Sequence, residues 1–331
     1  MFRGLHLLSP PFLTLCSVIA MLLLRGGSSL LRRQALSSAR VNSNNIYANP
    51  RNSEQNSRQV LIRDVDGFDR KVNILDIGES VGGGIPLVIL AGTAQTTETF
   101  TGHFRALTCG RRLVIPELRN QGKTELLSEY GTMEQHVEDV TAILRALGVC
   151  RVDLCGFSFG GRVALAVASA HPQYVRKLSI TGVPLHRAPL GSLILESWKD
   201  GLNMRQMRSV AWSFILNGYS EAFITRFSDR LPSFVDLICE ANDPKKLADL
   251  MNLSHTMTDS HPFSVASCAA RLTVPTQVIG ASYDKISAIG TVKLLSEAIR
   301  GEFEEIPEAG HLVPFEKPTQ WRNAILRFFD A

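Results

Sequence analysis

Residues 153–161, Asp-Leu-Cys-Gly-Phe-Ser-Phe-Gly-Gly, set one serine, Ser158, between two glycines where an apolar run gives way to an alanine-rich one. Arg151 to Cys155 reads as a short buried strand and Gly161 to Ala170 as a helix. A strand-to-helix turn tight enough to lift the serine Oγ clear of a sheet requires Gly156 and Gly160, because a Cβ at either place meets neighbouring backbone. The stretch is a nucleophile elbow. The strand before it and the helix after it carry that reading further than Gly-x-Ser-x-Gly alone, since small residues also gather in ordinary turns.

A serine hydroxyl is a poor nucleophile at neutral pH, so it needs a base beside it and an acid to fix the tautomer of that base. The last histidine, His311, lies in Ile-Pro-Glu-Ala-Gly-His-Leu-Val-Pro, after the strand-like Phe303 to Ile306 and before a closing amphipathic helix. Asp284 follows the apolar strand Thr276 to Gly280 and precedes a helix expected to begin near Ala288. Plainer roles compete with both: His311 as a surface-loop histidine, Asp284 as a carboxylate favoured by a helix N-terminus. Glu308 is the weaker candidate acid, because three residues before the base is too local for the usual geometry.

Over about residues 58–331 the chain resembles the α/β-hydrolase superfamily. The resemblance rests on Gly156 to Gly161, Asp284, Gly310-His311, the Leu87-Val-Ile-Leu-Ala-Gly strand and loop, the Glu117-Leu-Arg-Asn-Gln-Gly-Lys-Thr turn, and the chain order Ser, Asp, His. It implies a mostly parallel, eight-stranded sheet flanked by helices, with a helical cap. In this fold the acid can also follow the sixth strand, but Lys177 to Pro184 offers no carboxylate. Relatives usually open the loop after the third strand with His-Gly; here it reads Ala91-Gly92-Thr93-Ala94-Gln95. The implied oxyanion donors are the N–H groups of Phe159 and Thr93, with Ala94 next. Each would contribute on the order of 3 kcal/mol.

At 331 residues, with 45% hydrophobic and 20% charged, the chain suits one elaborated α/β domain. Its formal charge of +4 divides unevenly: residues 1–58 hold seven arginines and one glutamate, a net of +6, leaving −2 for the rest. The basic balance belongs to the leader, and nothing in the remainder points to nucleic acid. Six cysteines, Cys16, Cys109, Cys150, Cys155, Cys239 and Cys268, are scattered without a CxxC pair, which argues for reduced thiols and against a disulfide framework or a zinc site. No metal or other cofactor is expected.

The leader spans residues 1–57. Arg3 precedes an apolar run, Leu7 to Leu24, broken by Pro10-Pro11 and too short in its strongest part for a comfortable membrane span. Arg25 to Arg58 is rich in Ser, Asn and Arg and almost free of acid, the composition of an organellar transit peptide. The pair resembles the bipartite plastid leaders of algae with complex plastids. Mitochondrial import and membrane anchoring are the alternatives, and membrane contact is expected through this segment only.

From Gln59 the pattern alternates as a doubly wound sheet requires. Gln59 to Arg63 and Lys71 to Ile77 are strands joined through Asp66-Gly67, and Gly82-Gly83-Gly84 leads into the strand Pro86 to Leu90. That glycine run precedes its strand, so it is no dinucleotide fingerprint. Gly122-Lys123-Thr124 ends like a phosphate loop, yet Glu117 stands where the first glycine belongs. Thr132 and Gln135 form a capping box for a helix with Val137, Val140, Leu144 and Leu147 on one face.

Between about residues 185 and 267 the sequence turns helical, carrying Trp198, Met204, Met207, Trp212, Phe214, Phe223, Phe227, Phe234 and Met251. This is the expected cap, whose apolar side chains either shape an acyl pocket or form the cap's own core. Three candidate substrate contacts stand out: Phe157 beside the nucleophile, Trp212 in the cap, and Arg162 one helical turn past Ser158. A similar arginine lies near the substrate acid group in the menaquinone-pathway enzyme that eliminates pyruvate, and an arginine can grip a carboxylate bidentately. Enol-lactonases resemble the chain loosely in the cap segment Phe214 to Phe223. The expectation is a serine hydrolase for a small or medium acyl substrate. A pyruvate-eliminating lyase, or an inactive binding or scaffold protein, are the alternatives.

Overall fold

The computed structural model describes residues 57–64, 67–79, 84–100, 105–108, 110–126, 131–256 and 260–331. Residues 1–56 of the leader, Asp66 and Gly82-Gly83 lie outside the described residues. Eight strands form one sheet: β1 Ser57–Arg63, β2 Asp69–Ile77, β3 Leu87–Leu90, β4 Leu113–Pro116, β5 Val152–Phe157, β6 Val175–Thr181, β7 Thr276–Ala281 and β8 Glu302–Ile306. Their spatial order is β1-β2-β4-β3-β5-β6-β7-β8. β1 pairs antiparallel with β2 and β2 with β4, while every pairing from β4 to β8 is parallel. The fold expected from the sequence is therefore the fold observed, with strand bounds shifted by a residue or two.

β3, β4, β5 and β7 are buried at every position, as unbroken apolar runs covered on both faces must be. Alternation assigns their side chains to two cores. Val88, Leu90, Leu154, Leu178, Ile180 and Val278 join one cluster, and Leu87, Ile89, Cys155 and Ile279 join the other. At about 1.5–3 kcal/mol for each fully buried aliphatic side chain, these runs are what holds the sheet between its helices.

The helices, in chain order, are α1 Thr97–Phe100, α2 Met133–Ala146, α3 Phe159–Ala170, α4 Pro189–Asn203, α5 Met207–Gly218, α6 Glu221–Arg226, α7 Leu231–Ala241, α8 Pro244–Thr256, α9 Val265–Arg271, α10 Ile289–Ile299, α11 Val313–Glu316 and α12 Pro318–Asp330. The Thr132–Gln135 capping box opens α2, and Val137, Val140 and Leu144 of that helix are buried. On the opposite face α12 contributes Trp321, Ile325, Phe328 and Phe329 to the second core. Its indole is satisfied where it is buried: Trp321 Nε1 donates to Thr181 Oγ1 at 2.8 Å.

The cap is helices α4 to α8. Cys268 and Ala269 of α9, with Leu250 and Leu253 near the end of α8, belong to the main core rather than to the cap. The chain has thus rejoined the sheet layer before residue 267, because α9 packs on α3. The cap has two cores of its own. One gathers Trp198, Met207, Val210 and Met251 with Phe214 against it; the other gathers Ala211, Ile215, Leu231 and Val235 with Trp212, Phe227 and Phe234 against it.

Candidate active site

β5 delivers Ser158. Ser158, at the junction of β5 and α3, has φ 52° and ψ −118°, a conformation that L-residues avoid and that surrounding structure must enforce. The enforcement is steric. A Cβ on Gly160 would lie 2.2 Å from the Leu90 carbonyl oxygen, and one on Gly156 would lie 2.5 Å from Gly161 Cα. The Ser158 N–H donates to the Thr181 carbonyl at 2.8 Å, tying the turn to β6.

Two loops at the carboxyl ends of neighbouring strands bring up the other groups. His311, between β8 and α11, places Nε2 2.8 Å from Ser158 Oγ and Nδ1 2.7 Å from Asp284 Oδ2. The other carboxylate oxygen, Asp284 Oδ1, accepts from the N–H groups of Ile286 at 2.8 Å and Ser287 at 2.7 Å. An ionised carboxylate only accepts, so Nδ1 carries the proton and Nε2 is left to accept from the serine. Histidine and aspartate are both buried, at 5% and 7% exposure, which keeps water from competing for these bonds. Glu308 is exposed and stands outside this line.

The loop after β3 closes on itself. Gln95 N–H donates to the Gly92 carbonyl at 3.3 Å, and the Gly92 N–H donates back to Gln95 Oε1 at 2.8 Å. The Gly92 donor is thereby occupied. Thr93 and Ala94 form the turn between, and Ala94 sits in the left-handed region at φ 63°.

A family model described as the alpha/beta hydrolase fold matches residues 85–203. The enol-lactonase of Burkholderia xenovorans LB400 superposes with a TM-score of 0.71 at 18% identity, covering 82% of this chain and 100% of that one. The chain has the α/β-hydrolase fold. In sequence it is similar to the pyrrolizixenacetamide deacetylase of Xenorhabdus hominickii, 28% identical over 244 residues, 72% of this chain and 89% of the relative. It also matches the chloroplastic protein PHYLLO of Arabidopsis thaliana, 22% identical over 291 residues and 82% of this chain, but spans only 17% of that protein's length.

Around the Ser-His-Asp line lie residues that sequence reasoning placed differently or missed. Phe157 packs its ring 5.2 Å from that of His311 and is 1% exposed, so it backs the histidine and has no surface left for a substrate. Trp212 packs into the second cap core, with Ala211 and Val235. Most of the cap's large apolar residues likewise face one another, although Met204 is exposed.

Arg162 extends from α3 to within electrostatic reach of Arg187 and Cys268. Burial first, and the Arg187 charge second, lower its pKa to about 9; burial lowers that of Arg187 to about 10. Both remain cationic at neutral pH. Two part-buried cations thus lie within electrostatic reach of each other, Arg162 being one helical turn along α3 from the serine.

Beneath the elbow lies His136, which has no sequence motif to announce it. Its ring meets Phe159 edge-on at 5.1 Å, and its Nδ1 has no hydrogen-bond partner. Burial, then the nearby Arg119 charge, lower its pKa to about 3, so it is neutral. Arg119 in turn holds Asp139 through two 2.8 Å bonds, with both side chains buried. Glu117 is buried in the same turn and accepts from Thr97 N–H and Oγ1, each at 3.1 Å, and from Lys123 N–H at 2.6 Å. The phosphate-loop look-alike is therefore wrapped round its own carboxylate.

Glu316 was also missed. Its carboxylate accepts from the Gly310 N–H at 2.9 Å, from the Ser220 N–H at 3.1 Å and from the Ser220 hydroxyl. Leu312 N–H adds a bond to the Gly218 carbonyl at 2.8 Å. One acid thus joins the histidine loop to the α5–α6 corner of the cap. Among the described residues, no cluster of three or more His, Cys, Asp or Glu side chains could hold a metal ion.

Proposed function

We propose that this hydrolase cleaves a small or medium carboxylic ester, thioester or lactone through an acyl-enzyme. The observation that carries the reading is the buried, unbroken hydrogen-bond line from Ser158 through His311 to Asp284. Ser158 Oγ attacks the acyl carbonyl as His311 Nε2 takes its proton, and Asp284 stabilises the imidazolium that results. The N–H groups of Phe159 and Thr93, with Ala94 next to them, receive the developing oxyanion. Phe159 suits this role because the first N–H groups of a helix lack intrahelical acceptors. His311 then protonates the leaving group, and a water activated by the same imidazole releases the acid. Protein groups and water carry every step. Similarity to a deacetylase in sequence, and to an enol-lactonase in fold, supports acyl chemistry.

The test is labelling by a fluorescent fluorophosphonate, followed by an ester, thioester and lactone screen, with Ser158→Ala and His311→Ala as controls. Label on the wild type alone supports an activated serine; a folded, unlabelled wild type sinks the acyl-transfer reading. Arg162 and Arg187 favour a second reading, in which they hold a substrate carboxylate and the same groups abstract a proton in an elimination. In that case Arg162→Met raises KM for carboxylate-bearing substrates at least tenfold and leaves neutral esters unchanged.

For the leader we propose delivery to a plastid, in keeping with its composition and with the chloroplastic relative. No helix among the described residues is long and apolar enough to cross a membrane. Fusing residues 1–57 to a fluorescent reporter tests the assignment; a mitochondrial or reticular signal defeats it.

A further inference from the structure

Asn242 ends α7, in the cap, and is buried although its side chain is an amide. Its Nδ2 donates to the Ile238 carbonyl of its own helix at 3.0 Å and to the Ala94 carbonyl, across the cap boundary, at 3.2 Å. Two carbonyls fix the orientation of the amide, because exchanging O and N would set an acceptor against acceptors. The Oδ1 atom is left buried with no hydrogen-bond partner. A residue serving only to cap α7 would have no reason to reach the far loop.

That loop is the turn after β3, and it is strained. A non-glycine residue in the left-handed region crowds its Cβ against its own backbone, so Ala94 stays at φ 63° only while its surroundings demand it. Three things demand it. Gln95 closes the turn from within the core domain; Ala94 packs on the cluster that holds Ile194, Leu195 and Trp198 of the cap; and Asn242 grips the Ala94 carbonyl. Two of the three involve the cap.

We propose that Asn242 is a positioning residue for the oxyanion turn: by holding the Ala94 carbonyl it fixes the Ala94–Gln95 peptide that closes the turn onto Gly92, and through that closed turn the backbone that carries the Thr93 and Ala94 N–H groups, so the oxyanion hole is complete only with the cap seated. The inference rests on the acyl-transfer reading. Oxyanion donors act in the transition state far more than on bound substrate, so disturbing them should lower kcat and leave KM alone. Loss of a whole donor costs on the order of 10²–10³ in kcat. A donor merely released from its aim should cost less.

The experiment compares wild type, Asn242→Ala and Asn242→Asp on 4-nitrophenyl acetate, with rates normalised to sites titrated by fluorophosphonate so that any unfolded fraction drops out. The expected loss in kcat is about tenfold for Asn242→Ala, with KM within twofold. Asn242→Asp keeps the shape but turns an acceptor on two carbonyls, and should lose more. Ala94→Gly removes the Cβ penalty, so the Asn242→Ala loss should shrink in that background. Unchanged kcat in both Asn242 variants, a rise in KM alone, or an Asn242→Ala loss that is the same with and without Ala94→Gly would overturn the proposal. A wild type that is neither labelled nor active overturns it together with the acyl-transfer reading, whereas an active wild type with unaffected variants overturns it alone.

Discussion

The sheet and the cap meet at the same serine but are built by different rules. On the sheet side, each member of the Ser-His-Asp line sits at the carboxyl end of a parallel strand: Ser158 after β5, Asp284 after β7, His311 after β8. Strand pairing at fixed register leaves these loops little freedom, and buried apolar runs secure the strands. On the cap side, five helices pack mostly against one another, and a few polar atoms join them to the core. The chemistry is held by the backbone of the sheet, while the surroundings of the chemistry are held by side chains. A cap fixed in this way can change while the reacting groups stay where they are.

The largest expected effects test the sheet side. Ser158→Ala should lower kcat by about a millionfold and leave stability within about 0.5 kcal/mol, since the change removes one part-buried hydrogen bond, to His311 Nε2, and no packed apolar group. Asp284→Asn should cost about 10⁴ in kcat by losing the acceptor that sets the histidine tautomer. Steady-state kinetics and calorimetry on the two variants check both. A triad that survives Asp284→Asn with less than tenfold loss would mean the tautomer is set elsewhere.

Glu316 sits on the boundary, so its variants show how far the two halves are joined. Glu316→Ala strands the Gly310 and Ser220 N–H groups, at about 1–3 kcal/mol for each buried donor, and should loosen the histidine loop enough to lower kcat about tenfold. Glu316→Gln keeps an oxygen for both N–H groups and turns its NH₂ toward the Ser220 hydroxyl, so most of the loss should return. If Gln behaves like Ala, the charge is what matters and the boundary is electrostatic.

Beneath the elbow, His136 gives the sheet side a pH limit. Folding holds its pKa near 3, below the ordinary 6.5, so the unfolded chain binds a proton that the folded one refuses. Stability is full above about pH 6.5 and falls as pH drops toward 3. Between pH 7 and pH 5 the loss is about 2 kcal/mol from this residue. Urea melts of wild type and His136→Gln at the two pH values should show the variant losing less. The smallest effect belongs to the cap interior: Trp212→Phe should lower the melting temperature by a few degrees and leave the relative rates of different esters unchanged. A shift in ester preference would return Trp212 to the substrate pocket.

By itself the sequence determined the elbow, the order Ser, Asp, His and the alternating strands and helices, because these are local: strand and helix periods, a steric need for Gly156 and Gly160, and a serine that demands a base. Only the tertiary structure decided what faces what. Phe157 has the composition of a pocket residue but lies under the histidine; α9 continues a helical stretch but packs on the sheet; Gln95, Glu316, His136 and Asn242 belong to no motif at all. A hydrogen bond between residues 148 positions apart, such as that from Asn242 to Ala94, leaves no trace in local spacing, since it exists only after five helices have packed over the sheet.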